Sequence, residues 1–436
     1  MVSAKETDKA GERLCFGGTR FASAIFPVFT AFYLMGFLTD VVLLSPAVTA
    51  VILFSLRIFS AVDDQFIGLF FNRKNFKNGK YRPYLKWCAL PFAVSFALLG
   101  LAPEIGFTGK IVYISIMLAL SELFSSVLST AELSMLPYLA KDDVERTKLM
   151  SFSNAGSILA YIAIGTFMMP LVNFFGQGDK HTGFALTLVL LAILSVPIHF
   201  WGYFGLKEKQ AGTVSGLASI RDMFSAMIKN RRFMLLLTGY CVYSMADVFK
   251  SQMTYYYMTY NMGRQDLLPV IIMAGLLSPL AVQPLIPRLL KFAGKETLSF
   301  IGLFAASGAS VLMLAAGTRL LPLFGCIVLY GVFTAIFANL VFIILASFSD
   351  QMLEQKNMRM SDILTVTLAL SSSIGAAFAS SIAPLVLEFS GYSAQTDIQL
   401  PGALSGIKIL YILCTAAAMA LAGVFMLVFR CKKTKA

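Results

Sequence analysis

Twelve apolar segments, at roughly 21–39, 44–71, 87–103, 110–139, 149–175, 183–205, 233–260, 268–290, 297–317, 321–348, 362–388 and 405–430, account for most of the chain. Each is close to the 20 or so residues that a helix needs to cross a hydrocarbon layer about 30 Å thick. Inside lipid the backbone must satisfy its own N–H and C=O groups, so segments this long and uniformly apolar fold as helices. Only 13% of the residues are charged, where soluble proteins have about 25%. The expected fold class is an all-α membrane protein with twelve transmembrane helices.

One connection is long and polar, 206–232, with KEKQ followed by the amphipathic run SIRDMFSAMIKNRRF. It divides the chain into an N-terminal six-helix bundle, 1–205, and a C-terminal one, 233–436. Basic residues set the orientation. With the N-terminus in the cytoplasm, 28 of the 35 Lys and Arg fall in cytoplasmic segments. Five fall outside (Lys110, Lys180, Arg264, Arg319, Lys408), and Arg57 and Lys250 lie within spans. Both termini are therefore expected in the cytoplasm of a cell-membrane protein, with polar residues 1–20 ahead of a retained first helix. The net charge of +12 belongs to the face beside anionic lipid, and a nucleic-acid partner loses its support.

Chemistry is sparse. Six cysteines stand at irregular spacing without a CxxC, so neither a disulfide framework nor a metal centre is expected. Gly294-Lys295 is followed by Glu296 and lacks the upstream glycine of a phosphate-binding loop, so ATP is not the energy source. No nucleophile–base constellation appears, and the chain is not expected to be an enzyme.

The informative stretch is Arg57–Leu85. Its first half lies in an apolar segment and carries Arg57, Asp63 and Asp64. A charge at the bilayer centre costs at least about 2.5–3.5 kcal/mol, so such residues persist mostly where they act on something. Ser60, Asp63 and Asp64 are three and four residues apart and share a helix face. Two carboxylates and a hydroxyl suit Na⁺ or H⁺ as a bound ion; the blander alternative is a structural network neutralising Arg57. The second half is a basic hairpin with Arg73, Lys74, Lys77, Lys80 and Arg82, expected to anchor the cytoplasmic face and gate the second helix. Elsewhere Glu122, Glu132, Asp247 and Lys250 are intramembrane charges. Asp247 and Lys250, at i and i+3, are expected to pair. Glu132 either lines a cavity or faces water at the end of the fourth helix. His199, next to Trp201, is expected at the membrane interface, and of the adjacent Tyr255, Tyr256 and Tyr257 at least one is expected to face a cavity.

The run Gly68-x3-Asn72-Arg73-x5-Gly79-Lys80-x-Arg82-Pro83-Tyr84 resembles the helix 2–3 signature of the glycoside-pentoside-hexuronide:cation symporters, the melibiose-permease family of the major facilitator superfamily. Thr39-Asp40-Val41-Val42, Asp143-x-Glu145-Arg146, Asn230-Arg231-Arg232-Phe233 and Asp350…Glu354-x-Lys356…Arg359 are similar to further family motifs, in order. The resemblance implies two six-helix bundles that rock about a site near the midplane. It implies a cation site at Asp64, with Ser60 where the family has Asp, Asp63 where it has Asn, and Ser126 lending a hydroxyl; Arg57 matches a family arginine. The family's sugar contacts fall on Ala24, Ser129, Leu133, Asn154 and the Ser371-Ser372-Ser373 run, so any sugar is held differently. Substrate-cavity candidates are thus Ala24, Ser129, Glu132, Asn154, Tyr256 and Ser373; gating candidates are Arg73, Gly79, Lys80 and Arg82. The implied function is Na⁺- or H⁺-coupled symport of a small polar solute, first a sugar or glycoside, with no cofactor beyond the ion. A carrier of an amphipathic lipid or peptide, and a non-transporting receptor or assembly partner, are the alternatives.

Overall fold

The computed structural model describes residues 2–71, 79–103, 105–140, 143–208, 230–282, 285–356, 361–393, 396 and 399–431. They form two compact units, Met1–Val214 and Ser215–Ala436. Residues 209–229 of the polar connection lie outside the described residues.

The first unit holds α1 (Lys9–Phe32), α2 (Pro46–Phe71), α3 (Arg82–Leu101), α4 (Phe107–Leu139), α5 (Asp143–Gly176) and α6 (Lys180–Gly205). The second holds α7 (Arg231–Tyr256), α8 (Leu268–Val282), α9 (Lys295–Ala316), α10 (Leu320–Lys356), α11 (Ser361–Phe389) and α12 (Pro401–Cys431). Eleven of these twelve contain a stretch long and apolar enough to cross a membrane. The shorter one is α8, at 15 residues, followed by a separate short helix Ile286–Phe292. A single span was expected over 268–290. Residues 283 and 284 between the two helices lie outside the described residues; Pro279 stands inside α8, and Pro287 occupies the first turn of the next helix, where a missing N–H is tolerated.

The same packing recurs in each unit. In the first, α1 packs on α5 and α6, α3 on α4 and α6, and α2 on α4. In the second, α7 packs on α11 and α12, α9 on α10 and α12, and α8 on α10. An offset of six helices maps one set onto the other, as two duplicated bundles require. Glycines permit the closest crossings. A Cβ on Gly156 of α5 would collide with the carbonyl of Gly17 on α1, and one on Gly375 of α11 with the carbonyl of Cys241 on α7. Between α1 and α3 the core is aromatic: Phe26, Phe29 and Phe92 each place a ring centroid within 5.7 Å of Phe96.

The start of α1 departs from expectation. Composition suggests a polar lead-in over residues 1–20, yet the helix begins at Val2, and Cys15, Phe16 and Thr19 are fully buried. Charged Lys5, Lys9, Arg13 and Arg20 dilute the apolar signal of this segment. The small and apolar residues between them still make a continuous inward face at helical spacing.

Asp179 and Asn230 start α6 and α7. Asp179 accepts the backbone N–H groups of His181 and Thr182 at 3.0 and 3.1 Å. Asn230 accepts those of Arg232 and Phe233 at 3.1 and 3.2 Å. Both satisfy donors that a helix leaves open at its first turn.

Candidate functional site

Asp63 points from α2 into the first bundle and is buried, with 6% of its surface exposed. Opposite it on α4, buried Ser126 brings its Oγ to 3.5 Å from Asp63 Oδ1. A carboxylate and a hydroxyl from two helices thus converge where neither is open to solvent. Ser60, one turn earlier on α2, is half-buried. The side chain of Asp64 lies outside the described residues. Arg57 is half-buried and, among the described residues, makes no ion pair, so it does not neutralise Asp63. Six residues on a helix turn a side chain through about 240°, which separates their faces. Beginning one turn from Asp63 and running several turns along the helices, α2 and α4 also line a 630 Å³ apolar cavity, with Val51, Ile52, Phe59, Ile111 and Leu118 at its wall.

The other candidates have varied surroundings. Glu132 neither faces water nor lines an opening: it is 1% exposed, with Ser23 Oγ 2.6 Å from its Oε1. His199 is fully buried, its Nε2 3.1 Å from the same Ser23 Oγ. Tyr256 lines no opening either. It is fully buried, with ring centroids of Tyr255 and Tyr392 each 5.5 Å away. Ala24 is buried where α1 is interrupted, its N–H shared between the carbonyls of Arg20 and Phe21. Ser129 turns its hydroxyl onto the carbonyl of Ser126 at 3.4 Å, and Ser373 turns its own onto Ala369 at 3.1 Å. Asn154 is exposed on α5.

Asp247 and Lys250 do not pair. Asp247 is exposed, whereas Lys250 is buried and donates to Met313 Sδ at 2.9 Å. Its Nζ stands 3.5 Å from the Tyr411 ring centroid and 5.1 Å from that of Tyr330. The rings offer the negative face of their quadrupoles to the cation. Spacing of i and i+3 allows an ion pair but does not impose one when tertiary neighbours compete.

Of the hairpin, Arg73 lies outside the described residues, while Gly79, Lys80 and Arg82 are described. Gly79 has φ of +110°, a backbone shape that favours glycine. The next three backbone N–H groups, of Lys80, Tyr81 and Arg82, all donate to the Glu208 carboxylate, at 2.6, 2.8 and 2.7 Å. Arg82 also donates from Nε to the Tyr203 carbonyl and stacks over the Tyr203 ring at 4.7 Å. The start of α3 is therefore fastened to the end of α6. No sequence signal marks this contact, because Glu208 sits in a polar run like any solvated acid.

Two relatives and two solved folds resemble this chain along most of its length. The isoprimeverose transporter of Lactiplantibacillus pentosus is 26% identical, over 97% of this chain and 89% of that protein. The uncharacterized symporter YjmB of Bacillus subtilis strain 168 is 25% identical, over 99% of this chain and 95% of that protein. The nucleoside transporter NupG superposes with a TM-score of 0.70 at 14% identity, covering 97% of this chain and 99% of that one. The D-xylose-proton symporter superposes with a TM-score of 0.65 at 15% identity, covering 98% and 97%. The family model described as MFS/sugar transport protein matches residues 15–433, and the chain belongs to that family.

Proposed function

We propose that this chain is a secondary active transporter of the cell membrane, with both termini cytoplasmic, that couples a cation, Na⁺ or H⁺, to symport of a small polar solute of the sugar or glycoside class. The observation that carries the coupling is the buried Asp63 carboxylate on α2 facing Ser126 Oγ on α4. Burying a carboxylate in a span is costly unless a positive charge visits it. Ser60 and Asp64 are the further ligands proposed from α2. The relatives' names, an isoprimeverose transporter and a symporter, and the family's description as sugar transport support this class of substrate and of coupling. An ion that binds only one arrangement of the helices, and does so better when solute is present, supplies the differential binding that alternating access needs.

The test is uptake of labelled glycosides into membrane vesicles under an imposed Na⁺ or H⁺ gradient, with wild type, Asp63→Asn, Asp64→Asn and Ser126→Ala. Gradient-driven accumulation is expected in wild type and absent in Asp63→Asn. Ser126→Ala keeps it, with the ion concentration for half-maximal uptake raised about tenfold, the effect of losing one ligand worth about 1.4 kcal/mol. Accumulation that ignores both gradients and survives Asp63→Asn would sink the proposal.

A further inference from the structure

A second polar cluster lies deeper in the first bundle, built from three helices. Ser23 comes from α1, Glu132 from α4 and His199 from α6, each 0–1% exposed. Ser23 Oγ stands between the other two, 2.6 Å from Glu132 Oε1 and 3.1 Å from His199 Nε2. The remaining ring nitrogen, His199 Nδ1, is 2.8 Å from the Ser195 carbonyl. A carbonyl oxygen can only accept, so Nδ1 carries a hydrogen and neutral His199 presents a bare lone pair at Nε2.

Counting hydrogens then decides the chemistry. The chain Oε1···Oγ···Nε2 contains two hydrogen bonds and needs two hydrogens. The Ser23 hydroxyl supplies one. With Glu132 ionised and His199 neutral, two acceptors would compete for that hydrogen, leaving two lone pairs facing each other in a site without solvent. The second hydrogen has to be a titratable proton, on Glu132 or on His199.

We propose that Ser23, Glu132 and His199 form a relay that binds one exchangeable proton within the N-terminal bundle, a site distinct from Asp63 and Ser126. Transfer along it balances. The O–H bond of Glu132 breaks as its proton passes to Ser23 Oγ. The O–H bond of Ser23 breaks as its own proton passes to His199 Nε2. A neutral acid and a neutral imidazole become a carboxylate and an imidazolium. Arg20 of α1 faces the far carboxylate oxygen, its Nη1 4.0 Å from Oε2, and is itself held by Ser157 of α5 at 3.1 Å from Nε. Among the described residues Glu132 Oε2 is buried without a hydrogen bond, so this guanidinium is what compensates it once the proton has left. Arg20 and His199 are the charged or titratable groups within ion-pair distance of Glu132 among the described residues. The Arg20 side chain is 27% exposed and gives the buried acid a polar edge toward solvent. Ser126 and Glu132 are six residues apart on α4, about 9 Å of helix rise, so one rigid helix carries both sites.

The test uses the purified full-length protein in lipid nanodiscs and needs no substrate. The chain has two histidines, so His181→Gln leaves His199 alone in a ¹⁵N-histidine spectrum. Between about pH 5 and pH 9, the window in which perturbed Glu and His titrate, infrared difference spectra are recorded in parallel. A protonated-carboxyl band is expected that disappears as pH rises, is absent in Glu132→Gln and persists in Asp63→Asn. His199 is expected to hold its hydrogen on Nδ1 and to shift at Nε2 over the same pH step. Ser23→Ala, a smaller side chain in the same place, is expected to abolish that shared step while Nδ1 stays protonated. A carboxyl band unaffected by Glu132→Gln, or a His199 protonated at Nε2 alone, overturns the relay. Either result leaves the Asp63 site to its own test, since uptake under a gradient is a separate measurement.

Discussion

Lys250 Nζ lies 3.5 Å from the centre of the Tyr411 ring, with the Met313 sulfur accepting its hydrogen at 2.9 Å and, among the described residues, no carboxylate in ion-pair distance. Among the described residues, the buried ammonium group is held by polarizable and aromatic groups. A desolvated cation–π contact is worth about 2 kcal/mol, less than the cost of burying the charge. Lys250→Met is therefore expected to leave the thermal midpoint of the detergent-solubilised protein unchanged or raised. Tyr411→Leu is expected to lower stability by about 2 kcal/mol, because it strands the charge. The Lys250→Met/Tyr411→Leu pair is expected to recover part of that loss, and additive losses in the double-mutant cycle count against the contact.

The two glycine crossings make a sharper prediction. Gly156 and Gly375 stand against the carbonyls of Gly17 and Cys241, in helix pairs that correspond between the two units. Alanine at either has to push two helix backbones apart, and overpacking typically costs about 1–3 kcal/mol. Gly308 on α9 has nothing within 4 Å of the place its Cβ would occupy. Gly308→Ala is expected to be neutral or slightly stabilising, since alanine is the better helix former. Thermal midpoints of the three variants, read by tryptophan fluorescence or by aggregation, check the order. Equal midpoints would mean that the crossings tolerate a methyl group.

Glu208 offers a test of whether the hairpin after α2 depends on α6. Its carboxylate accepts three backbone N–H groups at the start of α3 and leaves none of them for water. Hydrogen bonds to a charged acceptor are each worth about 1.5–3 kcal/mol where buried, and less here because Glu208 is only half-buried. Glu208→Ala is expected to lower stability by roughly 2 kcal/mol and to speed hydrogen exchange at the amides of Lys80, Tyr81 and Arg82. Glu208→Asp, one methylene shorter, is expected to fall between. Protection of those amides that stays intact in Glu208→Ala would show that the first turn of α3 holds itself.

Hydropathy and charge bias carried the fold a long way. The apolar periodicity located twelve helices. It failed at α1, where basic residues spaced along an otherwise apolar face hid a span that begins at Lys9. The candidate site was legible in part. Helical spacing put Asp63 on an inward face, and resemblance pointed to Ser126 as its neighbour. Ser23, Glu132 and His199 could not be grouped by spacing, because each sits on a different helix and only the packing of α1 on α4 and α6 brings them together. Asp247 and Lys250 show the converse: spacing on one helix suggests a pair, while tertiary packing supplies Lys250 with aromatic and sulfur partners instead.

The last prediction concerns pH. Arg13 on α1 grips Glu145 at the start of α5 with two parallel hydrogen bonds, Nε to Oε1 at 2.7 Å and Nη2 to Oε2 at 2.8 Å. Both side chains are less than one-fifth exposed. The hydrogen bond from Arg13 holds the Glu145 carboxyl below its ordinary value of 4.5, outweighing the opposing effect of burial. A carboxyl depressed in the folded protein binds protons more readily when unfolded. The stabilisation is therefore fully present above the ordinary value and drains away as pH falls through the lower, folded one. At neutral pH a double-mutant cycle with Arg13→Ala and Glu145→Ala is expected to give a coupling of about 0.5–1 kcal/mol, the range for pairs that water still reaches. The coupling should hold constant from neutral pH down to about pH 5 and shrink toward zero below about pH 4. Denaturant unfolding of the four proteins across that range measures it. A coupling that persists unchanged in acid would assign the contact to packing of the Arg13 stem on α5 and leave its charge without a part in stability.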